Sequence, residues 1–163
     1  MIVLVTGGAG YIGSQLIREL PFSQRFRGAT IRVFDNMQEE KYLSLMDLPE
    51  EGKYEFVYGD ICRPEDLARA LEGDVRAVVH LAALTNATVS FERRELTEKV
   101  NLLGTECLVD ALTNGGKQLD GAVRPVGSPD NDGIGQHLRG GNDGQLWGAK
   151  GDFDRPIGPG CES

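Results

Sequence analysis

The apolar positions of this chain change period along its length, and each change marks an element. Ile2, Val3, Leu4 and Val5 are apolar without a break, as a central parallel strand covered by helices on both faces requires. After a glycine cluster, Ile12, Leu16, Ile17 and Leu20 recur at helical spacing until Pro21 ends the period. Residues 21–30 carry no regular pattern and read as a loop. Residues 31–34 form a second strand that Asp35 closes, and residues 38–53 are polar with Leu43, Leu45, Met46 and Leu48 scattered among them, a loop with room for one helical turn. Residues 54–58 make a third strand. Pro64, Glu65 and Asp66 then open a helix, with proline in the first turn and acids at its positive end, and Leu67, Ala70 and Leu71 face inward. Residues 76–80 are a fourth strand. Residues 91–114 are the longest helical stretch, with Val100, Leu103, Cys107, Leu108, Ala111 and Leu112 on one face and Gly115 as its stop. The order strand, helix, strand, strand, helix, strand, helix predicts an α/β fold, a doubly wound parallel sheet whose ligand site lies at the carboxyl ends of its strands.

From Gly115 the pattern stops. Residues 115–163 hold 13 of the 22 glycines and 4 of the 7 prolines but only eight Leu, Ile, Val or Phe, too few to offset the entropy of ordering the segment. Residues 1–115 are therefore expected to be the folded unit and residues 116–163 an irregular, disordered tail. Within that tail residues 122–126 are the one run with strand character, interrupted by Pro125. Composition narrows the classes further. A net charge of −8 argues against nucleic acid, and no run is long and apolar enough for a bilayer span. The apolar start has neither a basic flank nor a small-residue cleavage site, which predicts a cytoplasmic protein. Cys62, Cys107 and Cys161 are odd in number and far apart, suggesting neither a disulfide framework nor a metal site, and Cys107 reads as core.

The candidate chemistry lies where strands end. Gly7, Gly8, Gly10 and Gly13 follow the first strand and open the first helix, with Tyr11 and Ile12 between them. Glycines so placed supply a tight turn, close approach of backbone to a pyrophosphate and close helix-on-strand packing, and the helix aims its free N–H groups at the phosphates. This is the Rossmann dinucleotide pattern. Asp35 stands 22 residues beyond Gly13, where a carboxylate accepts hydrogen bonds from the adenosine ribose. Asn36 and Met37 bring no cation for a 2′-phosphate, so NAD is favoured over NADP. Asp60 ends the third strand and either holds the adenine edge or serves the turn. Leu81, Ala82 and Ala83 are small enough to let backbone pass close to a ribose. His80 reads as a satisfied strand-end residue rather than a catalyst.

Taken together these motifs resemble the NAD-dependent epimerase/dehydratase family, the extended short-chain dehydrogenases that act largely on nucleotide sugars. Residues 6–14 resemble the family's glycine loop, Phe34-Asp35-Asn36 its ribose acid, Gly59-Asp60-Ile61 its adenine contact and His80-Leu81-Ala82-Ala83 the strand beside the cofactor. Val100-Asn101 with Gly104-Thr105 is similar to its central helix, which adds Asn101 to the cofactor set. Order and spacing match over residues 1 to about 115, with 4-epimerases the nearest look-alike and 4,6-dehydratases and reductases close behind. The resemblance implies NAD as cofactor, a nucleotide sugar as substrate, and a homodimer interface shared by the 91–114 helix. It also implies a Tyr-x-x-x-Lys pair whose phenolate removes a sugar hydroxyl proton as hydride passes to NAD.

That pair is absent. The four tyrosines are Tyr11, Tyr42, Tyr54 and Tyr58, all upstream of the place where the family's catalytic helix begins, and none has a lysine four residues on. No catalytic residue is therefore assigned, and two classes stay open: an enzyme of this family, inactive in the form written here, or a non-catalytic NAD-binding module or truncated fragment. The break near Gly116 also has two readings, a natural Gly-rich linker or a shift of reading frame. Read one base later, residues 146–151 can encode Tyr-Gly-Ala-Gln-Lys, which fits the missing motif.

Overall fold

The computed structural model describes residues 1–38, 41–84, 94–117, 119–124 and 146–148, with side chains described no further than Asp120. Six strands form one parallel sheet. In chain order the elements are β1 (Ile2–Thr6), α1 (Tyr11–Glu19), β2 (Thr30–Asp35), a 3-10 turn (Tyr42–Leu45), β3 (Lys53–Tyr58), α2 (Pro64–Ala70) and β4 (Val75–His80). They are followed by α3 (Arg94–Glu98), a π-helical stretch (Lys99–Leu103), α4 (Gly104–Asn114), β5 (Gly121–Arg124) and β6 (Leu146–Gly148). The strand order is β3-β2-β1-β4-β5-β6. Every pairing is parallel, and Val5 of β1 lies between Val33 of β2 and Val79 of β4.

The unbroken apolar run of β1 is explained by helices on both faces. Val3 and Val5 pack with Ile31, Val33, Ala77 and Val79 against Leu16, Ile17 and Leu20 from α1 and the turn after it. Leu4 points the other way, with Phe34 and Val78, into Leu67 and Ala70 of α2 and Leu108 and Leu112 of α4. Burying each of the Val, Leu, Ile and Phe side chains among these contributes about 2 kcal/mol before chain entropy is charged against it. The doubly wound sheet predicted from the alternation is thus the observed architecture.

One polar residue sits in this apolar layer. Arg32 shares a face with Leu4 and Phe34 and is buried, and its guanidinium donates to the carbonyls of Ala70 at 2.9 Å and Glu72 at 2.6 Å, just past the end of α2. Glu55 on β3 completes the set, 2.8 Å from Nη2 and 2.9 Å from Nε. A cation on the last carbonyls of a helix both satisfies orphan acceptors and meets the negative end of the dipole.

Two elements depart from the sequence expectation. The single long helix over residues 91–114 is described from Arg94, and it changes to π-helical winding at Lys99–Leu103 before α4 resumes. Residues 91–93 lie outside the described residues. Strand structure also extends past Gly115, into the tail expected to be irregular: β5 overlaps the run 122–126 given strand character but starts one residue earlier and ends before Pro125, and β6 lies in a stretch read as coil. The anchor for β5 is at Asp120, whose N–H donates to the Arg76 carbonyl at 2.6 Å and whose carboxylate takes Arg76 Nε at 3.1 Å and Nη2 at 2.8 Å. Arg76 is the extra residue of a bulge where β4 pairs with β1, so the irregularity turns a cation toward the incoming chain. Apart from β6, residues 125–163 fall outside the described residues, and of the stretch 146–151 read in the second frame only residues 146–148 are described.

Candidate cofactor site

The sheet order reverses between β1 and β4, and open parallel sheets take ligands beyond the carboxyl ends of the two strands at such a point. The glycine loop leaves β1 there, and residues 81–84 leave β4 beside it. Gly7 has φ +67°, and a Cβ on it would stand 2.6 Å from the Ala82 nitrogen and the Leu81 carbonyl carbon. Its N–H donates to the Phe34 carbonyl at 2.8 Å, and its own carbonyl accepts the Gly10 N–H at 3.0 Å. A Cβ on Gly13 would collide with the Gly7 carbonyl and the Gly8 backbone, so α1 starts packed directly on the loop. The N–H groups of Tyr11, Ile12 and Gly13 fall in the first turn, where no carbonyl inside the helix can reach them, and no side chain caps this end. Tyr11 is 89% exposed. The cradle therefore offers an anion bare backbone donors and room to approach them.

Asp35 sits across the loop from these donors. One carboxylate oxygen accepts the Ala9 N–H at 3.0 Å and the other the Met37 N–H at 2.8 Å. Each oxygen keeps a lone pair free, so a fixed carboxylate is left facing outward with acceptor capacity for a diol. Asn36 turns its side-chain oxygen back onto the Gln38 N–H at 3.1 Å.

At the end of β3, Asp60 performs turn chemistry: its carboxylate accepts the Cys62 N–H at 2.9 Å, and its own N–H donates to Asp66 at 2.9 Å. Asp66 is buried, and that backbone hydrogen bond, followed by the Arg69 guanidinium at 2.6 Å, holds its carboxyl below the usual aspartate range. In the sequence Asp66 reads only as a helix-opening acid; its second role, orienting Asp60, needs the fold. The Ile61 side chain is buried in the core, and a Cβ on Gly104 would come within 2.6 Å of it, so Ile61 presents backbone to this surface.

A buried relay of hydroxyls and one imidazole joins β1, β4 and α4. His80 Nδ1 lies 2.7 Å from Thr6 Oγ1, and Nε2 lies 3.0 Å from Thr105 Oγ1. Thr105 donates its own proton to the Asn101 carbonyl at 2.7 Å, so it accepts from His80 Nε2–H, and Nδ1 in turn accepts from Thr6. Thr6 then takes the Leu81 and Ala82 N–H groups at 3.2 and 3.4 Å. Burial pushes the imidazole down to about 4, which keeps it neutral and in this tautomer. His80 is thus the satisfied strand-end residue expected of it. Asn101 clamps the same segment from the other side, accepting the Leu84 N–H at 2.8 Å and donating to the Leu84 carbonyl at 3.1 Å. Leu81, Ala82 and Ala83 are thereby fixed beside Gly7, and Asn101 acts by holding them.

Neither described cysteine is activated as a nucleophile. Burial, and then the charge of Asp60, push the Cys62 thiol up to about 11, and burial raises Cys107 as well. Among the described residues no cluster of His, Cys, Asp and Glu is arranged for a metal, and no described helix is long and apolar enough to cross a membrane.

The sequence model of the GDP-mannose 4,6 dehydratase family matches residues 4–124, from the middle of β1 to the end of β5. The chain belongs to the NAD-dependent epimerase/dehydratase family. Among curated relatives, a dTDP-glucose 4,6-dehydratase of Streptomyces niveus is 35% identical over 119 residues, 69% of this chain and 34% of that protein. A 3-beta-hydroxysteroid dehydrogenase of Mycolicibacterium neoaurum is 37% identical over 120 residues, 71% of this chain and 30% of that protein. Among solved structures, the UDP-glucose 4-epimerase of Thermus thermophilus in complex with NAD is 35% identical with a TM-score of 0.62, over 76% of this chain and 36% of that one. The chain thus spans about a third of the length of the epimerase/dehydratase relatives it matches.

Proposed function

We propose that this chain is the cofactor-holding N-terminal part of an NAD-dependent epimerase or dehydratase acting on a nucleotide sugar. In this reading the pyrophosphate of NAD rests on Gly7, Gly10, Tyr11, Ile12 and Gly13, and Asp35 and Asn36 meet the adenosine ribose. Asp60 and Ile61 border the adenine, and Leu81, Ala82 and Ala83, held by Asn101, line the path toward the nicotinamide. The observation that carries the reading is the Asp35 carboxylate, pinned by Ala9 N–H across the glycine loop with acceptor capacity left over. A pinned anion at that place accepts from a ribose diol and repels a 2′-phosphate. Titration calorimetry of the purified chain should show NAD binding more tightly than NADP, and Asp35→Ala should weaken NAD by about tenfold or more while leaving NADP little changed. Equal loss for both cofactors would remove Asp35 from the ribose role.

The same proposal carries no turnover for the sequence as given, because no tyrosine in it has a lysine four residues on. General acid–base catalysis is worth about a hundredfold to ten thousandfold, and the later strands that would orient a sugar over the nicotinamide are needed as well. A binding module without chemistry is therefore the second reading. Product formation from a nucleotide sugar by the purified chain, above a no-protein control, would decide against it. The helical stretch over residues 94–114 is proposed as a surface for a second copy, since Leu102 and Leu103 are 42% and 49% exposed on it.

A further inference from the structure

Arg18 and Ser44 take no part in the sequence motifs, yet they join three segments at the adenosine end of the candidate site. Arg18 lies about two turns beyond the glycine loop on α1. Its Nη1 donates to the Ser14 carbonyl at 3.0 Å within the same helix and to the Ser44 carbonyl at 2.8 Å, and Nη2 donates to the Met46 carbonyl at 2.6 Å. These last two bonds pin the 3-10 turn (Tyr42–Leu45), which follows the ribose acid in the chain, against the helix that follows the phosphate loop. Leu45 adds an apolar anchor by packing on the α1 side of the core. Ser44 Oγ then reaches the glycine loop itself, 2.9 Å from the Ala9 carbonyl, with the Lys41 carbonyl 2.6 Å away as its other acceptor.

Ala9 is where the two halves meet. Its N–H donates to Asp35 at 3.0 Å and its carbonyl is one of the two acceptors that share the single Ser44 hydroxyl proton, so one buried residue touches both the ribose acid and the clasped turn. The spacing between bare phosphate donors and the ribose carboxylate is therefore set by the protein before any ligand arrives, and preorganised spacing raises affinity by removing an ordering cost from the binding step.

We propose that Arg18 and Ser44 are positioning residues for the adenosine diphosphate half of the dinucleotide, clasping the turn after β2 onto the glycine loop so that Asp35 is presented at ribose distance and cannot swing aside for a 2′-phosphate. The inference rests on the NAD reading above. It assigns cofactor discrimination to the clasp as well as to the carboxylate.

The experiment compares the full chain with Arg18→Met, Ser44→Ala and Ser44→Thr, measuring dissociation constants for NAD, NADP and ADP-ribose by titration calorimetry and melting temperatures on the same samples. Arg18→Met removes the bonds to the clasped turn while keeping most of the apolar stem, and is expected to weaken NAD and ADP-ribose by about tenfold with a much smaller effect on NADP. Ser44→Ala is expected to weaken NAD about threefold, and Ser44→Thr, which keeps the hydroxyl, to restore it. The NAD to NADP preference should fall in both weakened variants. A merely structural clasp gives a different pattern: melting temperature falls while the NAD to NADP preference stays at the parent value, and that result overturns the proposal. Unchanged NAD affinity in both variants overturns it equally. If the unaltered chain binds neither NAD nor ADP-ribose, the functional reading itself fails, a result distinguishable from failure of the clasp alone.

Discussion

His80 shows how one buried side chain ties stability to pH. Its imidazole is neutral in the fold, where burial lowers its affinity for protons to about 4, while in the unfolded chain it titrates near the ordinary value of 6.5. Above pH 6.5 both states are neutral and the full stability is present. Between 6.5 and 4 the unfolded chain binds a proton that the native chain refuses, so stability falls as pH falls. The size follows from the shift: about 2 kcal/mol should be lost between about pH 7.5 and 5. Urea unfolding at the two pH values measures this, and His80→Gln should remove most of the slope. Asp66 works at lower pH with the same sign, since its lowered pKa stabilises the fold above the usual aspartate range and the contribution is lost as pH drops through its folded value.

At the scale of elements, α2 is short, its cap residue is Leu71, and its left-handed glycine, Gly73, comes only three residues past its end. Its last carbonyls are met instead by Arg32, reaching up from the middle of β2. Arg32→Met keeps the apolar stem and deletes the guanidinium, leaving two carbonyls and Glu55 without their donor. The expected cost is about 2 kcal/mol in chemical denaturation, and amide exchange should rise first in α2. A loss confined to β2 with α2 unaffected would show that the cap contributes little. The clasp formed by Arg18 has the same logic, one guanidinium serving carbonyls of a segment that cannot cap itself.

For the whole molecule the exposed side of the helical stretch over residues 94–114 decides how copies associate. Leu108 and Leu112 face the sheet and are buried, whereas Leu102 and Leu103 fall in the π-helical stretch and point outward. Adjacent exposed leucines favour association. Sedimentation at rising protein concentration should show self-association that Leu102→Glu with Leu103→Glu weakens, with the far-ultraviolet circular dichroism unchanged. A monomer at all concentrations would assign those leucines to another role.

The sequence determined the first four strands of the sheet, the helices on both its faces, the glycine loop and Asp35, because each of these is local. A parallel strand buried on both faces must be apolar throughout, a helix on the sheet repeats its apolar face every third or fourth residue, and a phosphate loop needs glycine where a Cβ would strike backbone. Long-range pairing decided the rest. Arg32 reads as a flaw in an apolar strand until the end of α2 arrives beside it, and Arg18 and Ser44 read as surface residues until the chain after β2 folds back over α1. Thr6, His80 and Thr105 lie on three elements and become a hydrogen-bonded relay only in the folded sheet. Strand β5 was legible only in part, as a short run of strand character within a tail expected to be irregular. Its place beside β4 was not, because the bulge at Arg76 and the Asp120 carboxylate that fix it are 44 residues apart and meet only in the fold.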